Sequence, residues 1–163
     1  QAALQRLGTG KGELGRGDLE GRDERVRRVA ADGMAGAPVG EVMNRMNDRL
    51  HRDVQKGMFV AALYALLDVR EGTLTLSNAG QTSPVLCPAD GGPPMLIENE
   101  GDRFPLGIIE DCSYEEARVP LNSGDVVILY TDGVVEAVNE RGEEYEESRL
   151  IPLVQRCSAK GAR

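Results

Sequence analysis

Between Met58 and Tyr130 the chain alternates short apolar runs with dense turn signals, and no other feature restricts its fold as much. "MFVAALYALLDV" runs into Arg70-Glu71-Gly72, and the next run carries Leu74 and Leu76 at alternating positions. Asp90-Gly91-Gly92 then divides Pro84–Cys87 from Met95–Ile97, and Asn122-Ser123-Gly124 divides "YEEARVPL" from Val126–Tyr130. Runs this short, joined by so few residues, are expected to pair as successive antiparallel hairpins. The first run alone is ambiguous, since twelve apolar residues also suit a buried helix; the alternating run after its turn decides for strand over 58–69, covered on both faces. Pro93 and Pro94 confine their stretch to a sheet edge.

Helical spacing appears on either side of this region. Pro38 suits a first helical position, and Val39, Val42, Met43, Met46, Leu50 and Val54 recur every three or four residues, so 38–54 is expected as an amphipathic helix. Glu41, Asn44, Arg45, Asp48, Arg49 and Arg52 make its solvated face. Val26, Val29 and Ala30 mark a shorter helix ending at Asp32-Gly33, and a closing helix from Glu147 carries Leu150, Leu153 and Val154 on its apolar side. Residues 1–24, glycine-rich and charged, read as a flexible leader, leaving 25–163 as one domain. Two helices followed by about six short strands give an α+β fold, helices packed on an antiparallel sheet.

Several function classes drop out. A chain of 163 residues, 40% hydrophobic, supports one core. Its formal charge of -8 repels phosphate backbones, so nucleic acid is not an expected partner. With 4% aromatic residues and no Trp, a base-stacking platform lacks material. No run approaches the roughly 18 apolar residues of a membrane span and no apolar signal core opens the chain, so no membrane insertion is expected. Cys87, Cys112 and Cys157 stand far apart without a CxxC pair, as reduced thiols of a cytoplasmic protein would.

Chemistry-bearing residues are few. In "ILYTDGVVEA" an aspartate, Asp132, directly follows an apolar run, and the residues alone leave two readings open: a turn residue or a metal ligand. His51 is the single histidine, so histidine-based metal or triad chemistry is ruled out, and its place near a helix end suits a capping or surface role. "GEEYEE" reads as a solvated loop rather than a cation loop. "GTGKGELG" lacks the ending of a phosphate loop and a preceding strand. Asn78-Ala79-Gly80 reads as a strand-end turn whose asparagine and glycine tolerate positive φ.

The blocks "GMFVAALYALLDVREGTLTLSNAGQTSPVL", "PLGII" and "LNSGDVVILYTDGVVEAVNERGEEYEESRL", in this order, resemble the second half of the SpoIIE/RsbU-type protein serine phosphatase domain, the bacterial branch of the metal-dependent PP2C (PPM) family. "VRRVAADGMAGAPVGEVMNRMNDRLHRDVQKG" resembles its paired helices, Asn47 included. The resemblance implies a PP2C-like antiparallel sandwich with packed helices. It makes Asp132 a metal ligand at the end of a central strand, with Gly133 letting the backbone turn away beneath two Mn²⁺ or Mg²⁺ ions. Such an ion pair, about 4 Å apart, activates a water against phosphoserine. The implied substrate is a phosphoserine protein, of the STAS-domain anti-anti-sigma kind, in a partner-switching pathway.

The departures are specific. The family's "GGDFYD"-like strand, "DVSGHG"-like turn and closing Asp-Asp loop have no counterparts here; the leader offers only the aspartates Asp18 and Asp23 of "RGDLEGRDE". Gln81 stands where the family has histidine, and Tyr145-Glu146 where it has phenylalanine-glycine. Two expectations follow, a phosphoserine phosphatase, or a protein-binding module of the same fold that has lost catalysis.

Overall fold

A computed structural model describes residues 36–53 and 58–158. The expected helix near 25–33, the leader, Val54, and Asp18 and Asp23 lie outside the described residues.

Helix α1 (Val39–Asp53) forms where the apolar spacing is helical, with the Val42 amide bonded to the Pro38 carbonyl in its first turn. Val39, Val42, Met43, Met46 and Leu50 are buried along one stripe. Asn47 belongs to that stripe too, fully buried, and Asn44 is half-buried with its Oδ1 accepting from the Tyr114 amide at 2.8 Å, so the face expected to be solvated is narrower than its polar residues suggest. Gly40 sits where a Cβ would lie 2.6 Å from the Tyr114 carbonyl oxygen, so a side chain there would push α1 away from residues 114–116.

The strands are β1 (Ala62–Asp68), β2 (Thr73–Ala79), β3 (Val85–Cys87), β4 (Met95–Leu96), β5 (Ala117–Pro120) and β6 (Val126–Ile128). They make two three-stranded antiparallel sheets, ordered β1-β2-β5 and β4-β3-β6. The β1–β2 hairpin forms as expected, with Tyr64 opposite Ser77 and Leu67 opposite Leu74. The hairpin expected around Asn122-Ser123-Gly124 does not: β5 joins β2 while β6 joins β3, so the turn crosses between sheets. Asp125 secures that crossing, accepting the Ala89 amide at 2.8 Å on Oδ1 and the Asn122 amide at 2.8 Å on Oδ2.

Period-two alternation sorts the strand residues into three apolar layers. Tyr64 and Ala79 pack with α1, Leu106 and Tyr114. Leu74 and Leu76 meet Leu86 and Ile97 between the two sheets. Val85 and Cys87 pack with Tyr130, Leu150 and Val154 of helix α3 (Glu147–Ser158). The order is helix, sheet, sheet, helix; β1 turns Tyr64 toward α1 and Ala65 toward the layer between the sheets, but of its residues only Tyr64 is fully buried, so the cover expected on both faces is partial. Two edges of the expected pattern differ: Leu67 at the end of β1 is 46% exposed, and Leu153 points outward from α3 while Leu150 and Val154 are buried. The run Val126–Tyr130 is strand only to Ile128, with Leu129 exposed before Tyr130 returns to the core. Cys87 and Cys112 are free, buried thiols, and no helix among the described residues is long and apolar enough to cross a membrane.

Candidate functional site

Asp132 lies just beyond the end of β6, and its local structure follows from the residues before it. Tyr130, 8% exposed, plugs the layer between the second sheet and α3, and its phenol donates to Glu147 Oε1 at the start of that helix. Burial first, and the Glu147 acceptor second, raise the Tyr130 phenol above its usual pKa. Thr82 donates its hydroxyl to the Tyr130 carbonyl from the turn after β2. Thr131, in extended conformation, then caps a single helical turn, α2 (Asp132–Val135), closed by the Glu136 amide bonding to the Asp132 carbonyl at 2.8 Å.

Asp132 and Gly133 are both solvent-exposed, with the Asp132 Oδ1 accepting the Gly133 amide at 2.8 Å. Gly133 is not in the left-handed region; it is the second residue of α2, and a Cβ there would meet only Thr131 Oγ1 at 3.6 Å. The turn away from the strand is therefore made by helix initiation at Thr131, not by glycine's freedom. The positive φ belongs instead to Gly80, at +78°, where a Cβ would come within 2.5 Å of the Pro105 ring. Asn78, expected to tolerate that conformation, is instead an ordinary strand residue, the last but one of β2, and fully buried. Its Oδ1 accepts the Gln81 amide at 2.8 Å and its Nδ2 donates to the Gln81 carbonyl at 2.9 Å, which shapes the turn that presents Thr82. Gln81 itself donates from Nε2 to the Ala61 carbonyl at 3.1 Å.

The structure thus brings the "NAGQT" and "LYTDG" blocks into contact through Thr82 and Tyr130. Neither Thr82 nor Glu147 was singled out by sequence reasoning. The signal available was the adjacency of Thr82 to the "NAG" block and of Glu147 to a helix start. The acidic "GEEYEE" stretch folds back onto α2, the Tyr145 amide bonding to the Ala137 carbonyl and the Glu146 amide to the Val135 carbonyl, both at 2.8 Å. His51 Nδ1 reaches the Gly107 carbonyl at 3.2 Å and Nε2 stands 4.0 Å from Glu110, so it ties α1 to the 104–111 loop rather than capping its own helix. Asn47 does the same, accepting the Gly107 amide and donating to the Ile109 carbonyl, each at 2.9 Å.

Among the described residues no group of three or more His, Cys, Asp or Glu side chains stands close enough to hold a metal ion. Asp132 stands there as a single exposed carboxylate, so the described residues do not by themselves fit a two-ion centre.

The family model for stage II sporulation protein E (SpoIIE) matches residues 25–163. The phosphoserine phosphatase RsbU of Bacillus subtilis (strain 168) is 26% identical over 107 residues, which cover 66% of this chain and 31% of that protein. The chain therefore spans about a third of that relative's length. A crystal structure of RsbU and RsbW domains from Mycobacterium tuberculosis superposes with a TM-score of 0.71 at 24% identity, over 90% of this chain and 41% of that one. The PP2C phosphatase domain of SpoIIE from Bacillus subtilis, with a fragment of its regulatory domain, gives a TM-score of 0.63 at 14% identity, over 98% and 52%. At these identities the structural likeness speaks for the fold, and together with the family match it shows that the chain belongs to the SpoIIE family, as a SpoIIE/RsbU-type PP2C domain.

Proposed function

We propose that the protein carrying this chain is a metal-dependent phosphoserine phosphatase acting in the cytoplasm on a regulatory phosphoprotein. The substrate class we infer is a STAS-domain anti-anti-sigma factor of a partner-switching pathway. The observation that carries the reading is Asp132: exposed just beyond β6, inside the family-matched segment, and two residues after Tyr130, which Thr82 and Glu147 hold from two sides. In this reading the divalent ions, Mn²⁺ or Mg²⁺, take their other carboxylates from outside the described residues, and Asp132 with Gly133 supplies one ligand position. The chain's own contribution is to hold that carboxylate at a fixed point on the rim of a packed sandwich, open to a phosphoprotein.

A second reading, a protein-binding module without catalysis, is favoured by the absence of any metal-competent group among the described residues. One experiment separates the two. The full-length protein and its Asp132→Asn variant are assayed on a phosphoserine protein with Mn²⁺ or Mg²⁺. Loss of about 10³-fold in rate with the fold retained is expected, since a ligand of the nucleophile-generating ions is removed. An unchanged rate removes Asp132 from the site, and no hydrolysis by the parent protein, with partner binding intact, establishes the second reading. The 163-residue chain alone is expected to bind Mn²⁺ weakly or not at all by titration calorimetry. Two tight sites would place Asp18 or Asp23 in the vacant ligand positions.

A further inference from the structure

On the side of the sandwich where β4 and β5 lie, a groove of about 350 Å³ runs between the outer edges of the two sheets. Its floor is Leu86, Ile97, Ala117 and Val119, the open mouth of the apolar layer between the sheets. Met95 and Leu96 flank it, 50% and 41% exposed, so apolar surface continues outward from the floor. The rim is acidic: Glu98, Glu100, Glu115 and Glu116 line it against a single cation, Arg118.

These glutamates are not balanced from within. Arg103 pairs with Glu98 at 2.8 Å, and Glu116 accepts the Gly40 amide at 3.3 Å. Among the described residues, Glu100, Glu115 and Glu116 have no cation within ion-pair distance. The four carboxylates form no group able to hold a metal ion, so their charge suits cations spread along a chain. Among the described residues, β4 pairs only with β3 and β5 only with β2, so the groove is bounded by unpaired strand edges. Unpaired edges accept an extended chain through backbone hydrogen bonds, while an apolar floor between charges selects its side chains.

We infer that this groove docks an extended segment of a partner protein in which an aliphatic residue is flanked by lysine or arginine. The aliphatic side chain enters over Ile97 and Val119, the flanking cations meet Glu100 and Glu115, and the backbone adds to the edge of β5. The four residues of β5 span about 13 Å, which matches a segment of four to six residues. The inference stands apart from the phosphatase reading and is tested without measuring activity.

The probe is a capped, fluorescein-labelled heptapeptide alternating arginine and valine, titrated into the full 163-residue chain and followed by anisotropy. Saturable binding is expected. It should weaken at least about tenfold in the doubly reversed Glu100→Lys/Glu115→Lys variant, because unlike charges across a rim become like charges. Both sites are exposed, so circular dichroism should be unchanged, and the uncharged Leu96→Ser variant reports independently on the apolar wall. A peptide with serine in place of valine should bind at least about tenfold more weakly, as loss of apolar burial requires. No binding, equal binding to the reversed variant, or equal binding of the serine peptide each overturns the inference. Binding that appears only after Arg25, Arg27 and Arg28 are changed to serine also overturns it, since the chain's own basic segment would then be the occupant.

Discussion

Thr82 donates its hydroxyl to the carbonyl of Tyr130, two positions ahead of Asp132, so the turn after β2 fixes the end of the strand that carries the candidate ligand. Thr82→Val keeps the shape but leaves that carbonyl without its partner. A loss of about 1–2 kcal/mol is expected in urea denaturation, with Thr82→Ser recovering most of it. Equal stability of the valine variant would show that the contact does not hold the strand end.

Asn47 makes the larger commitment. Fully buried, it serves both the Gly107 amide and the Ile109 carbonyl, so Asn47→Ala strands two backbone groups. A cost of about 2–4 kcal/mol is expected, the penalty of unpaired buried groups added to a small cavity. Amide exchange should quicken first at residues 104–111, and uniform exchange across the chain would contradict a local anchoring role.

Two glycines should behave oppositely. Gly80→Ala puts a methyl group against the Pro105 ring at a positive φ, and a loss above about 2 kcal/mol is expected. Gly133→Ala meets open surroundings in a helical turn and should fall within about 0.5 kcal/mol of the parent, or above it. Thermal melts of the two variants read the difference directly.

Alkaline stability should follow the buried phenols. Tyr64, Tyr114 and Tyr130 are all raised above 10.0, with burial the leading cause. Because the unfolded chain ionises near 10.0 and the folded chain later, their contribution is complete below pH 10 and is lost as pH rises beyond it. Phenolate absorbance from these residues should therefore appear together with loss of the circular dichroism signal. Early, gradual ionisation of all four tyrosines would show that they are open to solvent.

On the acid side Asp125 is the group to change. Its carboxyl is lowered below 3.8 by the Ala89 amide and then the Asn122 amide, so it stabilises the fold above the unfolded value and is lost as pH falls through the folded one. Asp125→Asn should flatten the acid limb of the stability curve below about pH 4, with little change of slope elsewhere.

The parts of the fold legible in the sequence are those with local causes. The Arg70-Glu71-Gly72 turn and the alternation of Leu74 with Leu76 suffice for the β1–β2 hairpin, and apolar spacing suffices for α1. The turn at Asn122-Ser123-Gly124 has the same local chemistry as a hairpin turn, and only distant partners, Leu76 for one flank and Cys87 for the other, send its strands to different sheets. Asn44 looks like a surface residue until Tyr114, seventy positions later, comes to rest on it. Asp132 stood out because its block is distinctive. Its supports Thr82 and Glu147 did not, since they act on Tyr130 from 48 and 17 positions away.

The crossing of 121–125 between sheets also governs how the polypeptide can mature during translation. Each sheet receives its third strand only from residue 117 onward, so when β1–β4 have left the ribosome neither sheet is complete, although α1 is already present to cover one face of the first. Pairings of such sequence separation form late and slowly. On the ribosome the first sheet can therefore receive β5 before the second receives β6, whose pairing with β3 waits until Ile128 has emerged.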